Sequence, residues 1–464
     1  MTEAPLCSVC MRHIKGEQAR SNVDESWKCA LCFGIFDSQF VDRVATEVKK
    51  KLDDDPYDSK SFVLALNVPV TTTLRDAVLG LFHCTHDDAV ANDTPSSLPF
   101  KLRLIHSYIP KIQAATGLRP TLNSDLTLTL TFCNDEFNAS DFAFLSTKFP
   151  ADFQMPKRRR RFGGGMPLES LYNKARVAVI LSKLRKENMA SYAMKSPTQQ
   201  CTYSIAFERE PILIASRYRK FSRNLPQSPW TASDDIPKVP GNSVSEKLTK
   251  ELVKETKCES TRFIASGRED IDVRMLGTGR PFALQLINPH LTAPFCGEKL
   301  QESLKRIEAE INSQRDIALG APLRRISVKQ AEMLTCTQDE KRKCYTAYCY
   351  SSERLDEKVL DELASKVPLE IVQKTPVRVL KRRALLDRKR TIYVLDALHL
   401  DDFHFLLRLE TQAGTYVKEF VHGDFGRTRP SLADLLRIEH GEVDILHLDV
   451  ENVCMEWPPE SNFD

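Results

Sequence analysis

The clearest pattern along the chain is LTLTLTF at 126–132, where every second residue is apolar, which predicts a half-buried strand. SFVLALNVPV, beginning at 61, reads as a strand that ends at proline. TYSIAF (202–207) and PILIASRY (211–218) read as a hairpin. Further on, FALQLIN (282–288), TAYCYSS (346–352), RTIYVLDAL (390–398) and FHFLLRLE (403–410) predict four more strands. Helical spacing is equally plain elsewhere. Phe40, Val41, Val44 and Val48 fall on one face behind a capping Asp37, and Leu300, Leu304, Ile307 and Ile311 form one stripe. Leu168, Leu171, Ala175, Ala178 and Leu181 predict a third helix over 168–187. LDDDPYDSK near 52–60 reads as a linker, and 236–256 as a linker followed by a charged helix. The chain has no internal repeat. Residues 60–235 mix strands with helices and strands dominate from about 258, so the fold class is α+β, in three parts: 1–55, 56–235 and 236–464.

Composition changes this picture little. With 464 residues there is room for two to four domains, and 42% hydrophobic with 28% charged residues is globular usage. No run approaches the roughly 20 apolar residues that span a bilayer, so no membrane is expected, and the N-terminus has no signal-peptide pattern. Net charge is only +3, so nucleic-acid contacts would have to come from local clusters. Two exist. One is Lys157 to Arg161, before three glycines, which reads equally well as a nuclear localisation signal. The other is Arg378, Lys381, Arg382, Arg383, Arg388, Lys389 and Arg390, part of which alternates like a solvated strand face. Nucleus and cytoplasm are the expected compartments.

Of 13 cysteines, nine are scattered, whereas Cys7-x2-Cys10 and Cys29-x2-Cys32 form two knuckles. Zinc takes four soft ligands in a tetrahedron, and two such turns supply them from two hairpin tips. Four thiolates leave no open position, so the expected role is a structural Zn²⁺ within a 1–55 module, where the metal replaces part of a small core. The bland alternative is four unrelated thiols.

SGREDIDVRMLGTGRP (266–281) packs Arg268, Glu269, Asp270, Asp272, Arg274 and Arg280 between glycines, just before a strand. Such loops present functional groups, and interleaved arginines keep a carboxylate ionised. A solvated turn explains the composition as well. Chelation of Mg²⁺ by Asp270-x-Asp272, as in a transferase, ranks lower, because the arginines compete for the same oxygens. No phosphate-cradling glycine motif opens a helix, so no nucleotide cofactor is expected.

GREDIDVRMLGTGRPF resembles the signature of the archaeal and eukaryotic tRNA pseudouridine synthases numbered ten in the Pus series. Its Arg268-Glu269-Asp270-Ile271-Asp272-Val273 resembles the R-x-D-x-x-V core of pseudouridine synthases more widely. Lys343-Cys344-Tyr345-Thr346-Ala347 resembles the family's K-x-Y-x-A, and AGTYVKEFVHGDFGRTRPSL (413–432) its G-T-Y-[IV]-[RK] segment. SRYRKFSRNLPQSPW (216–230), 374–390 and DVENVCMEWPP also look familial, and the likeness weakens over 85–165.

The resemblance implies that Asp270 is the catalytic carboxylate, with Lys418 paired to it. It implies that Tyr345 lies against the target base and helps to move its proton, with Val417 as an apolar floor. Arg268 joins Tyr345, Val417 and Lys418 in binding substrate. His422, Asp424 and Arg427 gain no role from it. It also implies a mixed-sheet catalytic domain over 236–464, a THUMP-type RNA-binding domain over 56–235, tRNA as partner with T-arm uridines 54 and 55 as usual targets, and no catalytic cofactor. The rival reading is a catalytically idle RNA-binding adaptor with the same fold, although binding alone requires no trio of Asp270, Tyr345 and Lys418.

Overall fold

The computed structural model describes residues 4–15, 20–83, 98–154, 171–230, 239–336, 342–381, 383–439 and 441–460. The expectations for Lys157 to Arg161, Leu168 and Arg382 fall outside them. The chain forms two compact units, Met1–Arg209 and Glu210–Asp464. No helix among the described residues is long and apolar enough to cross a membrane.

In the first unit, β1 (Ser61–Asn67) pairs in parallel with β2 (Arg119–Pro120) and β3 (Leu126–Cys133), and β3 pairs antiparallel with β4 (Thr202–Arg209). Leu126, Leu128, Leu130 and Phe132 are buried, so the alternation places one face of β3 in a core and the threonines on the other. Helix Ser38–Asp54 begins as expected: the Phe40 amide donates to Asp37 Oδ1 at 3.0 Å, and Phe40, Val41, Val44 and Val48 are buried. It runs into the segment read as a linker. The helix expected over 168–187 is shorter, Lys174–Leu181, capped by Asn173. Its buried face is Val177 and Ile180 rather than Ala175 and Ala178, because the larger β-branched side chains remove more apolar surface from water.

Three expectations are corrected here. TYSIAF and PILIASRY do not form a hairpin: the first is β4, on β3, whereas the second begins β5 (Ile212–Lys220), in the other unit's sheet. The division therefore falls at Arg209–Glu210, not near 235. Nor is 1–55 a module of its own, since Cys7, Cys10, Cys29 and Cys32 share one core with Phe40, Leu128 and Leu130. A module this small gains stability by packing on the sheet beside it.

The second unit is built on one large, mostly antiparallel sheet. Besides β5 it contains β6 (Ser260–Ala265), β7 (Arg274–Ile287), β8 (Ile317–Leu319), β9 (Arg324–Ile326) and β10 (Arg342–Ser351). The remaining strands are β11 (Leu369–Lys374), β12 (Asp387–His399), β13 (His404–Gln412), β14 (Thr428–Arg429) and β15 (Val443–Val453). The order is β14-β11-β12-β13-β10-β15-β7-β5-β8, with β6 on β7 and β9 on β5. The four strands expected after 280 are all present, and the stripe Leu300, Leu304, Ile307 and Ile311 is buried in helix Lys299–Asn312. The last strand in sequence, β15, sits mid-sheet, antiparallel to β10 and parallel to β7. The β7–β15 approach is close: a Cβ on Gly277, at φ +52°, would lie 1.9 Å from the Glu451 carbonyl oxygen.

Candidate active site

The charged loop links β6 to β7, and a buried polar network fixes it from beneath. Glu269 is buried and accepts hydrogen bonds from the Tyr218 hydroxyl at 2.7 Å and from Arg280 Nε at 2.6 Å. Arg280, also buried, donates to the Ser266 carbonyl at 2.8 Å. Gln227 closes the ring, donating to the Tyr218 hydroxyl and to the Gly267 carbonyl. A second clamp comes from Lys220, whose ammonium donates to the carbonyls of Leu225, Asp270 and Ile271 at 2.8–3.1 Å. Burial pulls the Lys220 pKa down to about 8. Buried charges are tolerated only when paired and hydrogen-bonded, so these groups fix the loop's geometry.

With its backbone fixed, the loop turns its remaining carboxylates outward. Asp270 and Asp272 are partly exposed. Arg378 reaches Asp270 at 3.1 Å. Lys418 lies 2.6 Å from Asp272 and 3.8 Å from Asp270. The expected Lys418–Asp270 pair is thus present but long, and the nearest cation to Asp270 is Arg378, from the basic run assigned to RNA contacts. The reason lies one residue beyond Lys418: buried Glu419 accepts from Arg378 Nε at 2.6 Å and aims the guanidinium at Asp270. Burial raises the Asp272 carboxyl, but the hydrogen bond and charge of Lys418 outweigh it and hold it below its ordinary value.

Lys418 belongs to the short helix Val417–His422, which follows the Gly414 turn after β13. The Gln373 side chain on β11 secures its start, accepting from the Tyr416 amide and donating to the Tyr416 carbonyl, each at 2.9 Å. Tyr345 stands on β10, half-buried, and burial pushes its pKa up to about 12, so its hydroxyl keeps its proton at neutral pH. Asp270, Tyr345, Lys418, Val417 and exposed Arg268 line one cleft of about 860 Å³, so the structure brings together every expected substrate-site residue. The basic run divides: Arg378, Arg383, Arg388 and Arg390 line the cleft, while Lys389 points away and pairs with Glu370 at 3.0 Å. Asp270 and Asp272 belong to no cluster of three or more potential metal ligands among the described residues, and their cationic neighbours would repel a divalent ion.

A family model described as "Pus10, C-terminal" matches residues 213–454, more than half of the chain. The chain belongs to the Pus10 family. It is therefore a pseudouridine synthase, an isomerase, as the resemblance of its motifs implied. The "Eukaryotic Pus10, N-terminal" model matches 29–208. The tRNA pseudouridine synthase Pus10 of Xenopus laevis is 33% identical over 93% of this chain and 81% of its own length. That of Mus musculus is 32% identical over 93% and 79%, and that of the archaeon Thermofilum pendens 36% identical over 50% and 51%. Every cleft residue named above lies inside the Pus10 C-terminal match.

In the first unit, the four cysteines of the knuckles are all buried, with ligand atoms within 4.8 Å of one another, an arrangement able to hold a metal ion. Cys10 lies in helix Ser8–Lys15 rather than at a hairpin tip, so the first knuckle is a helix start. Cys29 and Cys32 flank a tight turn that continues into Gly34, where a Cβ would meet Trp27 Cα at 2.8 Å.

The sequence reading named Glu269 only among the charges of its loop and Arg378 only in a basic run, and it did not single out Lys220, Glu419 or Trp230, which is exposed and also lines the cleft. Strand parity offered no signal for Lys220, because both faces of β5 are buried and a register shift falls between Tyr218 and Lys220. Nothing local marks Glu269 rather than Asp270 as the buried acid.

Proposed function

We propose that this protein isomerises uridine in the T arm of tRNA, at position 55, 54 or both, with Asp270 as the essential carboxylate. The observation that carries this reading is the setting of Asp270: its backbone is fixed by buried groups, its carboxylate is open to the cleft, and two cations stand beside it. The reaction breaks the uridine N1–C1′ bond, turns the uracil, forms C5–C1′, and exchanges the C5 proton for one at N1. A carboxylate beside C1′ serves as nucleophile, or as base at C2′, and both routes need it ionised. Arg378 and Lys418 place two positive charges beside it. Tyr345 and Val417 form the apolar seat for a base that has left its stack, a step costing a few kcal/mol, and neutral Tyr345 is suited to relaying a proton. Arg268, Arg383 and Arg388 meet phosphates.

The first unit serves as the THUMP-type RNA-binding part, with a structural zinc on Cys7, Cys10, Cys29 and Cys32. The donor set fits: the Cys7 and Cys32 sulfurs are 3.7 Å apart, close to the spacing implied by a tetrahedron with Zn–S bonds of about 2.3 Å. The compartments are nucleus and cytoplasm, supported by the basic run from Lys157 to Arg161.

The test is tritium release from 5-³H-uridine in an unmodified tRNA transcript, comparing wild type with Asp270→Asn, with and without brief EDTA treatment. Release by wild type should fall to background in the variant and survive chelation. Transcripts lacking uridine at 54 or at 55 assign the position. Tight tRNA binding with no release from the wild-type protein would leave only the adaptor.

A further inference from the structure

Beyond Lys418, the segment His422-Gly423-Asp424-Phe425-Gly426-Arg427 takes an unusual path. Asp424 (φ 45°, ψ 52°) and Phe425 (φ 56°, ψ 37°) are consecutive non-glycine residues in the left-handed region, between glycines that are also left-handed. Such backbone is strained for a residue with a Cβ and persists only where its surroundings hold it. They do so here. Asp424 is buried, its amide donates to His422 Nδ1 at 3.1 Å, and its carboxylate accepts from the Val377 amide at 3.3 Å and meets Arg427 at 3.5 Å. Arg427 in turn donates to the Thr375 carbonyl at 2.7 Å.

This anchoring presents Phe425 with 91% of its surface exposed. Neither the strain nor the exposed ring helps the fold. Val377, also exposed and bonded through its amide to Asp424, precedes the Arg378 that faces Asp270, so the segment carrying the ring is tied to the chain beside the cleft. The setting is basic as well as apolar: a Cβ on Gly426, the residue after Phe425, would lie 3.3 Å from the Arg429 guanidinium.

We propose that Phe425 is a substrate-binding residue whose ring stacks on an unpaired base of the RNA flanking the target uridine. A rigid aromatic face beside arginines is the combination that holds single-stranded nucleotides, the ring taking the base and the cations the phosphates. This rests on the proposal that tRNA is the substrate. Stacking needs a π-face, whereas docking of a protein partner needs only apolar bulk, so the choice of side chain separates the two.

The experiment measures tRNA affinity and steady-state tritium release for wild type, Phe425→Ala, Phe425→Leu and Phe425→Trp in the full chain, with thermal melts to verify folding. Ala and Leu should each weaken Kd and raise KM roughly five- to hundredfold, with kcat affected less, and Trp should retain wild-type values. Wild-type behaviour of Phe425→Ala overturns the inference, as does rescue by Leu, which would show that the site needs apolar bulk and not a π-face. A wild-type protein that neither binds nor isomerises tRNA overturns the substrate reading itself, and this inference with it.

Discussion

The cysteine cluster and the Asp270 cleft solve opposite problems with similar means. Both gather polar side chains from distant parts of the sequence, and both rely on burial. In the first unit the four sulfurs are themselves the buried groups, facing one another with no side left open. In the second, the buried charges are Glu269, Arg280 and Lys220, which hold the loop while its partly exposed carboxylates, Asp270 and Asp272, face the cleft. A closed set of ligands can stabilise a fold but leaves nowhere for a substrate. An open pair of carboxylates can act on a substrate only if something else fixes the loop that carries them.

This contrast can be tested, beginning with its most costly element. Cys10→Ser in the full chain should abolish zinc retention and remove the first unit's cooperative melting transition, since structural zinc contributes on the order of 10 kcal/mol. Calorimetry with metal analysis is the check, and an unchanged transition in a zinc-free protein would reduce the cluster to ordinary core thiols. Next, Glu269→Gln strands Arg280 as a buried, unpaired charge. Urea unfolding should register a loss of about 3–5 kcal/mol, and a loss below about 1 kcal/mol would mean that the loop is not clamped from beneath.

The smallest effect is at the surface. Lys418 holds the Asp272 carboxyl below its ordinary 3.8, so the pair's stabilisation is fully present above that pH and is lost as pH falls through the lower, folded-state value. Asp272 is more than half exposed, so solvent screening limits the pair to a few tenths of a kcal/mol. The stability gap between wild type and Lys418→Met should be that small at pH 7 and should close on acidification. A gap that widens instead would show that Lys418 acts through packing.

Legibility in the sequence followed the reach of the interaction concerned. Alternation in LTLTLTF and the stripe Leu300, Leu304, Ile307 and Ile311 are properties of a few neighbouring residues, and both elements formed as read. Two C-x2-C pairs specify their own geometry, and the sulfurs meet. The adjacent strands TYSIAF and PILIASRY misled because pairing is settled by distant partners, β3 for one and β7 for the other. The same limit applied at the site. Motif likeness brought Asp270, Tyr345 and Lys418 to one cleft, yet it could not rank the carboxylates around Lys418. That ranking depends on Arg378, and Arg378 is aimed by Glu419.

The position of β15 has a consequence for when the site comes into being. Among the described strands, hydrogen bonding joins β10 to β7 only through β15, and Asp270 hangs from the β7 side whereas Tyr345 stands on β10 itself. A ribosome makes β15 after both β7 and β10. Until that strand inserts, the carboxylate and the tyrosine belong to two separate sheets. The cleft is thus completed in one late step, and a chain made only as far as β10 carries Asp270 and Tyr345 on unjoined strands.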